Sequence, residues 1–274
     1  MDTATFPRDR GTSETLEDQG SISKLVVTWQ HPILRDISPI GLLGFDGREY
    51  SFTYLASAPD VVDFRPLLGF PEFERRYTSE TLFQLFLQRA MDPRRPDFLR
   101  YVEDLGLADD ASPWEQISRS GGTRESDTLQ LFPIPRFTGE GWTCYFLVHG
   151  TRHLLEKDVM VGESTHLKYS ADALEQVLGH LSKGDKLQVE HEVSNKSSAH
   201  SLLATNVEGE PVGWVPNWLA AEILQLQAEG LLSFVVDRVN PSQAGWHMRL
   251  VVKVVADCPE EYAFFVGPTW TTLA

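Results

Sequence analysis

The sequence predicts an α+β protein of two units, a small N-terminal α+β domain followed by a small β-barrel with one main helix. Three observations lead there. β-rich runs occur in both halves of the 274 residues. Helix-start and helix-stop residues gather between them. The stretch NVEGEPVGWVPNWLAAEIL, residues 206–224, reads as a hairpin running into a helix. There Glu208-Gly209-Glu210 is a tight turn, Val212-Gly213-Trp214-Val215 a strand, Pro216 its stop and Asn217 the helix cap. Several strands spaced around one helix suggest a partly closed barrel.

In chain order, residues 1–22 are polar, without hydrophobic period, and are expected to be a disordered tail. Order begins at the β-rich run Leu25 to Trp29. A hairpin follows, from Pro39 to Phe45, through the turn pair Asp46-Gly47, to the strand Tyr50 to Leu55. Tyr50, Phe52 and Tyr54 share one face of that strand. The segment from Ala56 to Tyr77 carries Phe64, Leu67, Leu68, Phe70 and Phe73, which demand burial, so it reads as an ordered loop. Thr78 is placed to cap a helix running through Arg89, with Leu82, Phe83, Leu85, Phe86 and Ala90 on its apolar face. Pro96 opens a second helix, Asp97 to Leu105, which Gly106 ends. Pro113 opens a third, through Ile117. A double-glycine turn and a strand from Thr128 to Phe132 close the first domain, 23–136.

The second domain, 140–257, starts with a strand at 142–150. A helix is expected at Ala171–Gly179, strands at Lys186–Val193 and Ser201–Val207, then the hairpin and a helix to Glu229, stopped by Gly230. The last strands are Leu232–Val239 and His247–Ala256, separated by Asn240-Pro241-Ser242. The tail, 258–274, is aromatic and expected to pack back on the fold.

Composition excludes some functions. The net charge of −15 argues against broad, charge-driven binding to duplex nucleic acid. Residues 1–136 carry 15 basic and 22 acidic groups; 137–274 carry 9 and 17, a net of −8. No apolar run reaches the length of a membrane span, and the N-terminus lacks a signal-peptide core, so a cytoplasmic protein is expected. Cys144 and Cys258 lie in no metal-ligand spacing and read as buried thiols of a reducing compartment, though one disulfide between them stays open.

No P-loop, GxSxG, HExxH or kinase signature is present, so no catalytic residue and no cofactor is assigned. Ser118 to Arg124 has glycines, hydroxyls and two arginines like a phosphate cradle. It precedes a strand rather than a helix, which favours a structural turn with Arg119 and Arg124 paired to Glu125 or Asp127. His149 and His153, four apart across a glycine, lack Cys or carboxylate partners for a metal site, and no metal is assigned. Arg89, Arg94, Arg95 and Arg100 form the most basic local cluster. It reads either as a salt-bridged helix connection or as a docking face for an acidic partner or nucleic acid. Trp214 and Trp218 are candidates for core packing or for stacking on a base.

Residues 142–257 resemble a HIRAN domain. The matching pieces are Val148-His149-Gly150-Thr151-Arg152-His153, Gly184-Asp185-Lys186-Leu187-Gln188-Val189, the Asn195 region, and Val212-Gly213-Trp214-Val215-Pro216 with the helix after it. The resemblance implies a small OB-like barrel that holds the 3′ end of single-stranded DNA. It places Arg152 at the family's DNA-contacting arginine, His153 at its base-stacking aromatic, and Asn195 at the asparagine of its Asn-Pro-Tyr-Asp segment. Lys196, Ser197 and Ser198 follow here, so the tyrosine and aspartate are replaced, and Trp214 and Asn217 replace polar or basic groups. Residues 25–136 are similar, over Leu82 to Phe86, Tyr101 to Leu107 and Ser120-Gly121-Gly122 through Pro133, to the first subdomain of HipA-type toxin kinases. That implies regulatory protein–protein contacts without the kinase domain.

The expectation is a non-enzymatic recognition protein of a toxin–antitoxin or phage-defence setting. It binds a protein partner through Arg89, Arg94, Arg95, Arg100, Arg119 and Arg124. It also binds nucleic-acid ends through Arg152, His153, Asn195, Lys196, Trp214 and Asn217. The alternative is a single-stranded DNA 3′-end binder alone. No membrane contact is expected.

Overall fold

The computed structural model describes residues 23–34, 36–122, 128–139, 141–161, 165–192, 201–228 and 231–274. It is α+β, with two larger antiparallel sheets. The first contains β1 (Ser23–Gln30), β2 (Ile37–Phe45), β3 (Tyr50–Tyr54), β4 (Tyr77–Ser79) and β5 (Leu129–Pro133) in the order β4-β3-β2-β1-β5. Between β4 and β5 lie α1 (Gln84–Leu87), α2 (Phe98–Asp104) and α3 (Pro113–Ser120). The second half adds β6 (Arg136–Phe137), β7 (Trp142–Leu147), α4 (His153–Glu156), β8 (Val159–Val161), β9 (Thr165–Leu167) and α5 (Ala171–His180). It continues with β10 (Lys186–His191), β11 (Leu202–Thr205), β12 (Pro211–Trp214), α6 (Asn217–Ala228), β13 (Leu232–Val239) and β14 (Leu250–Ala256). Its large sheet runs β12-β11-β10-β13-β14-β7-β6, with β8–β9 a separate hairpin. The chain just past β7 then bridges β12: His149 N–H donates to Trp214 O at 2.9 Å, and Trp214 N–H to His149 O at 2.8 Å. That bridge curls the sheet into a half-barrel.

Local chemistry explains the turns. Asp46 accepts from the N–H groups of Arg48 at 2.9 Å and Glu49 at 2.7 Å, and Gly47 takes φ 89°, so the β2–β3 hairpin closes. The Glu49 bond, then that of Arg48, holds the Asp46 carboxyl below its ordinary value. α3 begins in a capping box in which Ser112 and Glu115 satisfy each other's backbone donors, and it ends at Gly121 with φ 73°. It therefore runs to Ser120, three residues beyond the expected end.

Two expectations need correction. The helix from Thr78 to Arg89 is absent: Tyr77 to Ser79 pair with β3 as β4, and only Gln84–Leu87 are helical. The edge of β3 needs a partner, and one helical turn suffices to bring Phe83 and Phe86 onto Phe70, at 5.0 and 5.8 Å between ring centroids. Asn217 is the first residue of α6 rather than its cap. Strand pairing continues through Val215, whose N–H reaches Leu202 O at 2.9 Å, and Leu219 N–H bonds to Pro216 O at 3.0 Å. Pro216 thus takes the boundary position.

The first core gathers Phe52, Tyr54, Phe70, Phe86, Ile117 and Leu131. Buried Tyr54 donates its hydroxyl to Phe70 O at 2.9 Å and accepts from Leu67 N–H at 2.7 Å, which anchors the long loop. Burial pushes its phenol up to about 12. The second core fills the half-barrel with Phe146, Leu174, Leu202, Val212, Ile223 and Val252. Cys144 and Cys258 are both buried. Burial raises the Cys144 thiol to about 12, which keeps it protonated and inert at neutral pH.

The two sheets share an apolar seam. Leu105 packs with Leu147, Met248 and Val251, and Phe132 stacks on Trp218 at 4.8 Å. Buried Asn240 donates to Asp104 O at 2.5 Å and to Met248 O at 2.6 Å, joining α2 to the end of β13. The tail completes the connection. Phe265 is buried against Trp218 and Trp270, and Leu55 bridges Thr272. Ala56 N–H reaches Thr271 O at 2.7 Å, and Leu273 N–H reaches Tyr54 O at 3.0 Å. The strap so formed runs from the half-barrel back to the first sheet. Among the described residues no helix is long and apolar enough to cross a membrane.

Candidate nucleic-acid interface

The barrel-closing bridge builds the candidate site. Gly213 takes φ 142°, and a Cβ there would lie 2.5 Å from Val148 Cγ1 and 2.6 Å from His149 O. Only glycine lets β12 approach the end of β7 so closely. Gly150, with φ 67°, lies under the indole of Trp214: an added Cβ would fall 2.7 Å from its Cε3 and 3.5 Å from His153 Cδ2. The turn from Gly150 is pinned in three places. His153 N–H bonds to Gly150 O at 2.7 Å, and Leu154 N–H to Thr151 O at 3.2 Å. The buried hydroxyl of Thr151 donates to Val212 O at 3.1 Å. Arg152 and His153 therefore project from a fixed backbone, their side chains 74% and 57% exposed.

Two carboxylates complete the arrangement. Glu156 takes Arg152 Nε at 3.1 Å on one oxygen and His153 Nδ1 at 3.2 Å on the other. The His153 bond first, and the Arg152 charge with it, hold the Glu156 carboxyl below its ordinary value. Glu192 accepts the Trp214 indole N–H at 2.7 Å and the Ser201 hydroxyl at 3.0 Å. These hydrogen bonds fix the Trp214 ring against Gly150.

Of the nucleic-acid residues expected from sequence, Arg152, His153 and Trp214 come together here. Asn195 and Lys196 lie outside the described residues. Asn217 is exposed on the first turn of α6, and no hydrogen bond among the described residues joins it to the other three.

The expected basic face does not form as one surface. Arg89 is buried and donates to Gly122 O at 2.7 Å. Arg94 pairs with Asp92 through bonds of 3.0 and 2.6 Å, which bring the Asp92 carboxyl down to about 2, and Arg95 pairs with Asp97 at 2.9 Å. Arg100 donates to Gln243 O at 2.9 Å. Arg119 stacks over the Tyr145 ring at 3.8 Å and faces Asp237 at 3.7 Å. Its expected partners Glu125 and Asp127, with Arg124, lie outside the described residues. Two arginines assigned to a foreign partner thus contact the second half of the same chain.

A different exposed feature appears on the first sheet. Ile33, Leu34 and Ile37 stand out at the β1–β2 turn, Ile33 at 82%. His31 Nδ1 accepts the N–H groups of Ile33 at 3.1 Å and Leu34 at 3.0 Å, so its proton sits on Nε2, facing Asp63 at 3.2 Å. Val62, beside Asp63, is 64% exposed. Sequence reasoning missed this tip because a hairpin end hides which residues lack a neighbour. It also missed Glu156, although the spacing from Arg152 was legible as an i,i+4 pair. Glu192 carried no such signal, since only folded strands bring it to Trp214.

Among the described residues no three His, Cys, Asp or Glu side chains are grouped to hold a metal ion. A cleft of about 410 Å³ beside His180, Lys186, Asn206 and Glu208 includes none of the candidate residues.

No family model matches the chain, and no curated protein matches it. Two solved structures are similar in part. A protein from Lactobacillus plantarum is 13% identical, with TM-score 0.30, over 41% of this chain and 87% of that one. The HIRAN domain of human HLTF is 15% identical, with TM-score 0.28, over 44% of this chain and 81% of that one.

Proposed function

We propose that this chain is a non-catalytic recognition protein whose half-barrel binds single-stranded nucleic acid, at an end, through Arg152, His153 and Trp214. The observation that carries this reading is the convergence of His153 and Trp214 on Gly150, with Arg152 adjacent. The HIRAN resemblance of 142–257 supplies the ligand class. An imidazole and an indole offer stacking faces for bases, and one guanidinium offers a phosphate contact. With a net charge of −15, affinity rests on these few groups and depends only weakly on salt.

The test is fluorescence anisotropy with short oligonucleotides whose 3′ ends are free or blocked. Arg152→Ala is expected to weaken binding about tenfold, and His153→Ala to weaken it by a similar factor through lost stacking. Both side chains are exposed, so the fold tolerates the changes. Equal binding by wild type and both variants would remove this site from consideration.

A second reading, recognition of a protein partner, is favoured by the apolar tip at Ile33, Leu34, Ile37 and Val62 rather than by the arginines. Single exposed apolar residues are ordinary, but a group held out by a hydrogen-bonded histidine marks an interaction surface. Affinity purification with wild type and Ile33→Asp in parallel tests it. A defined partner kept by wild type and lost by the variant is the expected result; one kept equally by both rules out the tip.

A further inference from the structure

We infer that Glu156 is an internal competitor for the anion-binding groups of this site and sets how weakly it holds a phosphate, an inference that rests on the nucleic-acid reading above. The geometry is that of a carboxylate standing where a phosphate would stand. Each of its oxygens meets one donor, Arg152 Nε at 3.1 Å and His153 Nδ1 at 3.2 Å. Both donors project from a turn pinned by three hydrogen bonds, so a ligand does not draw them away from Glu156 by moving the backbone. A phosphate that takes Arg152 Nε and His153 Nδ1 together must therefore displace the carboxylate, and one that meets only the outer guanidinium nitrogens lies beside its charge.

The displacement is graded rather than blocked. Arg152, His153 and Glu156 are all well exposed, and an exposed ion pair is worth little in water. With His153 neutral, the pair of Arg152 and Glu156 sums to zero charge. Glu192, held by the Trp214 indole and the Ser201 hydroxyl, adds a further negative charge nearby. The net pull of the site on a phosphate backbone is then small, confined to the contact that Arg152 makes when Glu156 yields. It selects ligands by what stacks on His153 and Trp214, so a long polyanion with no accessible base gains little there. This matches the acidity of the half-barrel, a net of −8 over residues 137–274. Glu156 thus acts as a specificity residue, disfavouring contacts that any nucleic acid could make.

Glu156→Gln tests this, because it keeps the shape and removes the charge. The probe is a short fluorescein-labelled oligothymidylate with a free 3′ hydroxyl, titrated at several salt concentrations against the full chain. The variant is expected to bind roughly two- to fivefold more tightly, the scale of an exposed pair. Its plot of log affinity against log salt should steepen by about 0.7, one further phosphate contact to a single strand. A merely structural role for Glu156 would not move that slope. In an Arg152→Ala background, the slope change should vanish, and only a smaller gain in affinity should remain from the freed His153. If wild type binds and Glu156→Gln alters neither affinity nor slope, the competitor role is wrong and the site stands. Failure of both proteins to bind would overturn the site and the competitor together. Binding by the variant alone would support both.

Discussion

Gly213→Ala is expected to destabilise the protein by at least about 3 kcal/mol and to abolish the proposed nucleic-acid binding together with the barrel closure. A single methyl does this because two costs coincide. The backbone stands at φ 142°, where an L-residue is strained, and the new Cβ meets Val148 Cγ1 at 2.5 Å and the His149 carbonyl at 2.6 Å. The carbonyl belongs to a reciprocal backbone bridge and cannot move without breaking it. Trp214 is the other half of that bridge, so the site loses its stacking face with the closure. Thermal melting should show a fall of roughly 6–12 °C for a chain of this size. A variant melting within about 2 °C of wild type would show that the closure tolerates a side chain. Arg152→Ala supplies the contrast, since it is expected to weaken the proposed binding without moving the melt.

The second large effect is expected from removing the strap. A chain ending at Asp257 loses Phe265, a buried aromatic of a class worth about 3–5 kcal/mol when truncated. It also loses Leu273 from the first core and leaves the edge at Tyr54 and Ala56 without its hydrogen bonds. The sum is roughly 5 kcal/mol or more, comparable with the whole stability of an ordinary domain. The truncated chain is therefore expected to be largely unfolded without denaturant. Phe265→Ala should still fold, with a urea midpoint clearly below wild type. Phe265 holds φ 57°, an uncommon angle for a bulky residue, and its burial offsets that strain. Identical urea midpoints for wild type and the truncated chain would show that the strap rests on the surface without stabilising it.

How far the sequence speaks depends on whether the deciding contact is local. Asp46-Gly47 and Gly106 set their turns through their own backbone angles and near neighbours, so the hairpin and the end of α2 were legible, whereas α3 runs on to its stop at Gly121, three residues past the expected end. The stretch 206–224 was legible for the same reason, apart from the cap, where strand pairing at Val215 overrides the local preference of Asn217. Residues 78–89 misled because Thr78, Leu82 and Phe86 have helical spacing, while the unpaired edge of β3 lies far away in sequence. The arginines divide in the same way. Arg94 and Arg95 answer to aspartates two residues away, but Arg100 and Arg119 answer to Gln243, Tyr145 and Asp237 across the seam. In the candidate site, Arg152 and His153 were legible through resemblance and Glu156 through helical spacing. The Trp214–Glu192 bond exists only once β10 and β12 are built.

The strap also fixes when the molecule can be finished. Ser57 and Thr269, joined by a hydrogen bond, are separated by 212 positions. At a ribosomal rate of about 5–20 residues per second, roughly ten to forty seconds of synthesis separate them. Through that interval the first sheet stands with one edge open and the half-barrel lacks Phe265. A nascent chain thus carries an exposed strand edge and an unfilled aromatic pocket until Phe265 to Leu273 emerge, the condition under which folding helpers act on long-range folds. The strap around Thr269 thus seals a sheet whose Ser57 end was made 212 positions earlier.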